Sequence, residues 1–218
     1  MNASYIYEWM TAVAGHLKNG ANGSAADIIE ALKAEAAAEI RRDEAKRSGT
    51  ASRQKAAERI IKNAKSMQPS KPCLHGAWTE NGAQCLCDSF RALRLSEPLP
   101  LENIPEDIEP LNVSRIIDGA KQNAGARLSL PDLGELRAHI KAEKARIKAE
   151  KLRGIVPLWD FGDGLPAVDA QYLADMLEAL PGCTATASVQ RPTLNALYIT
   201  SEDGDGVLLP AWKAAKHG

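Results

Sequence analysis

What the sequence has little of already narrows the field. Aromatic residues make up only 5% of the 218 positions, cysteines number four, and the net charge is −1. Four cysteines (Cys73, Cys85, Cys87 and Cys183) are too few for a disulfide scaffold and read as thiols of a reducing compartment. No stretch approaches the ~18 consecutive apolar residues of a membrane span, and the opening MNASYIYEW has neither the basic n-region nor the apolar run of a secretory signal. The expectation is a cytoplasmic protein that makes no membrane contact. Also missing are a Gly-rich phosphate loop and a Gly-x-Ser-x-Gly elbow, and the spacing of His16, His139 and His217 gives them no triad or metal partner. These absences predict a protein that is not an enzyme and carries no cofactor. What is present, 44% apolar and 25% charged residues, is an ordinary globular composition that excludes fibrous and disordered classes.

Near-neutrality conceals blocks of opposite sign. Residues 51–72 carry +5, 96–110 carry −5, 131–153 carry +3 and 154–218 carry −5. Such alternation builds an oriented field that steers a charged partner, which the overall charge does not report.

Patterning divides the chain near residue 50. Residues 1–50 read as a helical extension: a short helix from about Tyr5 to Leu17, the breaker NGANGS at 19–24, and a second helix. In that helix Ser24 and Asp27 resemble a capping box, and Ile28, Leu32, Ala36 and Ile40 repeat every four residues. The apolar stripe is narrow, so this hairpin is expected to pack on the rest of the protein or on a partner rather than fold alone. Residues 51–218 begin with a helix over about Ser52–Ser66, with Ala56, Ala57, Ile60, Ile61 and Ala64 on one side and Lys55, Arg59 and Lys62 on the other. Asn81-Gly82 between two strand-like runs predicts a β-hairpin over 74–95. A Pro- and Glu-rich loop at 96–110 and a short helix at Val113–Ala120 follow. Residues 129–154 then predict one long, exposed, basic helix started by Ser129 and Pro131 and stopped by Gly154. Beyond it GIVPLWDF, CTATASVQ, LNALYIT and GVLLPAW read as strands. Asp169 caps a helix whose stripe is Tyr172, Leu173, Met176, Leu177 and Leu180, and whose exposed face, Asp169, Gln171, Asp175 and Glu178, is acidic. The class is α+β with an antiparallel sheet.

Two segments carry a family resemblance. Cys87-Asp88-Ser89-Phe90-Arg91-Ala92-Leu93-Arg94 closes the hairpin, and Val168-Asp169-Ala170-Gln171-Tyr172-Leu173 opens a helix followed by strands at 192–200 and at Gly206-Val207-Leu208-Leu209-Pro210. In this order they resemble the C-terminal domain of the bacterial DNA polymerase β sliding clamp. The resemblance covers residues 52–95 and 155–212. It implies a single DNA-clamp-like domain, an antiparallel sheet with two helices, with 1–50 as a helical extension and 96–153 as a helical insertion. It further implies helices whose cations neutralise duplex phosphates without reading sequence, a role for Arg53, Lys55, Arg59, Lys62 and Lys65, extended on the later basic helix by Arg137, Lys141, Lys144 and Lys148. A second implication is capture of short apolar peptides from polymerase- and repair-type partners beside Leu208, Leu209, Pro210 and Trp212; the alternative is that these residues complete a sheet core. Two features depart from the family. The acidic helix face should repel DNA, and one domain could encircle a duplex only as about six copies.

Cys73, His75, Cys85 and Cys87 raise the question of a zinc module. A two-residue Asn81-Gly82 loop pairs Trp78 with Cys85 and sets Cys73 and His75 on the face opposite the other two cysteines. A three-residue loop with a bulge brings all four to one face. Even then, residues two apart on a strand are separated by ~6.6 Å, too far for tetrahedral thiolate ligation without distortion. The functional expectation is therefore a replication-associated, clamp-like protein of phage or mobile-element type that binds double-stranded DNA, tethers a polymerase-type partner, or does both, as a homo-oligomer. The alternative is a protein-interaction module that inhibits or adapts a host polymerase or nuclease.

Overall fold

The computed structural model describes residues 3–20, 22–47 and 49–211. They fall into two compact units, Met1–Ala51 and Ser52–Gly218. No helix among the described residues is long and apolar enough to cross a membrane.

The first unit is a helical hairpin of α1 (Ala3–Lys18) and α2 (Asn22–Arg47), which pack on each other. Gly20 adopts a φ of 72°, the left-handed conformation that ends helices and that glycine takes at no steric cost. Helix α2 starts at Asn22, two residues before the expected capping serine, so Ser24 lies in its first turn.

The second unit is α+β. Its elements run α3 (Ala51–Met67), a 3-10 turn at Pro72–Leu74, β1 (Trp78–Glu80), β2 (Ala83–Cys87), β3 (Arg91–Leu95), α4 (Val113–Gln122), β4 (Ala124–Leu128) and α5 (Leu133–Ala149). There follow β5 (Leu158–Asp160), β6 (Ala167–Asp169), α6 (Ala170–Ala179), β7 (Thr184–Ser188), β8 (Leu197–Ser201) and β9 (Gly204–Leu208). Seven strands form one antiparallel sheet in the order β1-β2-β3-β9-β8-β7-β4, and β5 and β6 form a separate small one. The succession α3-β1-β2-β3 recurs as α6-β7-β8-β9. The last strands of the two modules meet in the β3–β9 ladder, with Leu93 opposite Gly206 at its centre.

Alternation along each strand sorts the core into two layers. Leu86, Leu93, Leu197, Ile199 and Leu208 point to the side where α3, α5 and α6 contribute Ile60, Leu136, Ile140, Leu173 and Met176. Cys85, Cys87, Ala92, Tyr198 and Val207 point to the other side, where Val113 and Ile117 of α4 cover them. The strand predicted over GIVPLWDF is only Leu158–Asp160 and stays outside the main sheet. Residues 96–153 fold back on the sheet, because β4 extends its edge beyond β7 while α4 and α5 pack on opposite faces. Strand β4 was not apparent from the sequence. The long basic helix also differs at its ends: Asp132, not Ser129, caps it by accepting from the Glu135 amide at 2.9 Å, and it stops at Ala149.

The hairpin takes the two-residue loop. Asn81 and Gly82 both have positive φ, 52° and 82°, as the right-handed twist of a tight hairpin requires, and Trp78 pairs with Cys85. The one-face register for Cys73, His75, Cys85 and Cys87 is thereby ruled out. Cys73 lies in the 3-10 turn, and the His75 Nε2 donates to the Gln68 carbonyl at 2.9 Å. No cluster of three or more metal-ligating side chains occurs among the described residues. Burial, aided by nearby Glu80, pushes the Cys85 thiol up to about 12, and burial also raises Cys87. These cysteines pack as small apolar side chains.

Candidate nucleic-acid interface

The helices α3, α5 and α6 share one side of the sheet, so their outward faces decide what that side can meet. On α3 the buried stripe of Ala56, Ala57, Ile60 and Ala64 forces Lys55, Arg59 and Lys62, at spacings of four and three, onto the opposite side. On α5, Leu136 and Ile140 anchor the helix. Arg137, Lys141, Lys144 and Lys148 follow at i, i+4, i+7 and i+11, and at ~100° per residue they fall within roughly 60° of arc. The α5 carboxylates lie on the other flank, where Arg146 engages Glu143 at 2.9 Å and Glu150 at 3.0 Å.

The acidic face expected on α6 does not exist as a solvent-facing surface. Asp175 is buried and accepts from Arg59 Nε at 2.6 Å and from Arg91 Nη1 at 2.5 Å. Glu178 is bridged by Arg59 and, at 2.9 Å, by Arg137, and accepts from the Ser52 hydroxyl at 3.0 Å. Asp169 is spent on its helix cap, accepting from the Gln171 and Tyr172 amides at 2.8 and 3.1 Å. The carboxylates of α6 are thus neutralised from inside the fold by arginines, and the lysines on the flanking helices take no part in those pairs. Lys55, Lys62, Lys141 and Lys148 are exposed and pair with no carboxylate among the described residues, while Lys144 reaches Gln171 at 3.3 Å.

The other predicted cations are committed elsewhere. Arg53 pairs with Asp203 at 2.8 Å and donates to the Ala179 carbonyl at 3.2 Å. Lys65 holds Glu102 at 2.7 Å. Arg59 and Arg137, tied to Glu178, border a cleft of about 250 Å³ completed by Ile140, Gln171 and Ala174.

Sequence reading missed the centre of this arrangement. Arg91 is buried, its Nε on Asp88 at 2.9 Å, another nitrogen on Asp175, and its guanidinium 4.1 Å from the Tyr172 ring centroid. Asp88, fully buried, also accepts from the Phe90 and Arg91 amides at 3.0 Å and from Asn63 at 2.9 Å, and Asn63 donates again to Tyr172 at 3.2 Å. The two segments that carry the family resemblance therefore meet here, one supplying Asp88 and Arg91 and the other Tyr172, with Asp175 following in the helix that it opens. A usable signal existed: Asp175 sits three residues from Tyr172 and four from Ala179, on the flank of an apolar stripe where an ionised group needs a partner.

This network has a pH signature. Burial works against the Glu178 carboxylate, but hydrogen bonds from Arg59 and Ser52 and the charges of Arg59 and Arg137 outweigh it and hold the group below its ordinary range. A folded value below the unfolded one stabilises the protein above about pH 4.3 and is lost as pH falls through the folded value. Urea midpoints of wild type and Glu178→Gln are expected to differ at neutral pH and to draw together as the pH falls from about 4.3 through the folded value. A gap that stays constant until acid unfolds the protein would show that the pairing does not stabilise the fold.

Of the residues predicted beside the end of the last strand, Leu208 is fully buried in the sheet core, Leu209 is exposed and Pro210 lines a groove. Trp212 lies outside the described residues. The groove, of about 540 Å³, is completed by Leu165, Ala167, Thr193, Leu194 and Ala211 with the loop at Asp163-Gly164. Comparison with family models, curated proteins and solved structures yields no match.

Proposed function

We propose that this protein is a clamp-like, replication-associated DNA-binding protein whose α3–α6–α5 face holds duplex phosphates without reading sequence. The observation that carries the reading is the internal neutralisation of Asp175 and Glu178, which leaves Lys55, Lys62, Lys141, Lys144 and Lys148 to set the sign of that face. It removes the objection that an acidic helix would repel DNA. The repeated α-β-β-β succession, and the meeting of the two resemblance segments around Arg91, support the sliding-clamp comparison. The partly apolar groove beside Pro210 supports a second role, docking of a short apolar peptide from a polymerase- or nuclease-type partner.

The test is duplex affinity as a function of salt. Each neutralised phosphate contributes a slope of about −0.9 in log affinity against log salt. Replacing Lys55, Lys62, Lys141 and Lys148 by Glu is expected to flatten that slope by about 1 per lysine and weaken all sequences alike. These side chains are exposed, so the fold survives, whereas an Arg59 substitution would break the Asp175 pair as well. Absence of duplex retention by the wild type at low salt, or an unchanged slope in the quadruple variant, would overturn the proposal.

A further inference from the structure

The lysine face of α3, α6 and α5 has a carboxylate near its centre. Arg59 stands between Lys55 and Lys62 on α3, and Arg137 begins the row that continues through Lys141 and Lys144 on α5. A duplex lying on these lysines passes over the cleft that the two arginines border. Glu178 of α6 forms part of the wall of that cleft, and its side chain is only 10% exposed. Arg59 Nη2 donates to one of its oxygens, and Arg137 Nη2 at 2.9 Å and the Ser52 hydroxyl at 3.0 Å donate to the other. Asp175, three residues earlier, is a fixed part of the core, buried and shared between Arg59 and Arg91. Glu178 is held differently. It lies in the last turn of α6, at the negative end of the helix dipole, where a carboxylate is disfavoured. The side chains that hold it there are themselves reached by solvent, Arg59 at 40% and Arg137 at 58% exposure, with Ser52 exposed as well.

A phosphodiester presents the same pair of charged oxygens as a carboxylate, and guanidinium groups bind both in the same forked geometry. It would also reach donors that Glu178 leaves unused, since Nη1 of Arg59 and Nε and Nη1 of Arg137 have no partner among the described residues. We propose that Glu178 is an internal stand-in for phosphate: it holds Arg59 and Arg137 in place on the free protein and is displaced into solvent when a backbone phosphate of the duplex takes its position. The exchange rests on the duplex-binding reading and adds to it a step by which the protein releases its own anion. One ion pair replaces another, and the freed carboxylate takes up a cation from solution. The contact is therefore silent in the salt dependence of the wild type, where only the lysines contribute.

The test is duplex affinity against salt for the full-length protein and three variants, with circular dichroism to check that each is folded. Glu178→Gln keeps the shape and a carbonyl acceptor without the charge, so the arginines meet phosphate unopposed. Its affinity is expected to rise about tenfold near ~0.1 M salt and its slope to steepen by about 0.9. Glu143→Gln removes a carboxylate from the other flank of α5, where it pairs with Arg146, and is expected to leave the slope unchanged. Ser52→Ala leaves the charge of Glu178 and loosens its hold, so binding is expected to tighten on the order of threefold with the slope unchanged. An affinity and slope in Glu178→Gln equal to those of the wild type, an equal steepening in Glu143→Gln, or a Ser52→Ala protein that binds no tighter would overturn the exchange and leave duplex binding standing. A wild type that is not retained on duplex at low salt would overturn the underlying reading, and the exchange with it.

Discussion

Replacing Arg91 by Met is expected to cost about 3–5 kcal/mol of stability, the range for removing one partner of a buried ion pair. The reason is what stays behind. Asp88 and Asp175 are both buried, and each would lose a charged donor while remaining out of water. Against a typical total of about 5–15 kcal/mol, that is a large fraction. Arg91→Lys rescues only part of the loss, since an ammonium cannot reach both carboxylates with a planar fork while stacking on the Tyr172 ring. Arg59→Met costs less because Asp175 keeps Arg91, and Glu178 keeps Arg137 and the Ser52 hydroxyl, as donors. Urea unfolding measures all three. A loss below about 1 kcal/mol for Arg91→Met would mean that the carboxylates find other donors.

Gly206→Val is the second substitution with a large expected effect, for a steric reason. A Cβ at Gly206 presses into the Ala92 carbonyl oxygen across the β3–β9 ladder and lies 2.9 Å from Met176 Cε and 3.0 Å from Leu93 Cδ2. Met176 can bend away, but the Ala92 backbone is fixed by its own ladder. Overpacking of a fixed site costs about 1–3 kcal/mol, and a branched side chain at the junction of two modules belongs at or above the upper end. Gly206→Ala is milder, and adding Met176→Ala to it is expected not to restore stability. Recovery in that double variant would place the clash on the side chain instead of the backbone.

The parts legible in the sequence were those with local chemistry. Asn81-Gly82 fixed a tight turn, Asp169 capped α6, and the spacing of Ala57, Ile60 and Ala64 marked the buried side of α3. Strand β4 escaped because Ala124-Gly125-Ala126-Arg127-Leu128 has neither β-branched residues nor clean alternation. It pairs with β7 through a register shift, and Gly125 lets it pass close to Val189. In the candidate site, the lysines of α3 and α5 followed from helical spacing. The state of Asp175 did not, because its partners Arg59 and Arg91 lie 116 and 84 positions away, and a helix wheel reports only neighbours on its own helix. An exposed-looking carboxylate and a buried, paired one are the same letter until the fold brings a cation to it.

The placement of β9 also sets an order for synthesis. It occupies the middle of the sheet between β3 and β8, yet among the described strands it is the last made. Until residue 208 has left the ribosome, β3 has no neighbour on its inner side, and the halves built by β1-β2-β3 and β7-β8 have no shared ladder. Long-range pairing of this kind is slow, and an unpaired strand edge invites the wrong partner. A nascent chain of this protein therefore carries an open sheet edge from the completion of β3 at Leu95 until β9 is made, and a factor that binds such edges would act on it during translation and lose its target once the ladder closes.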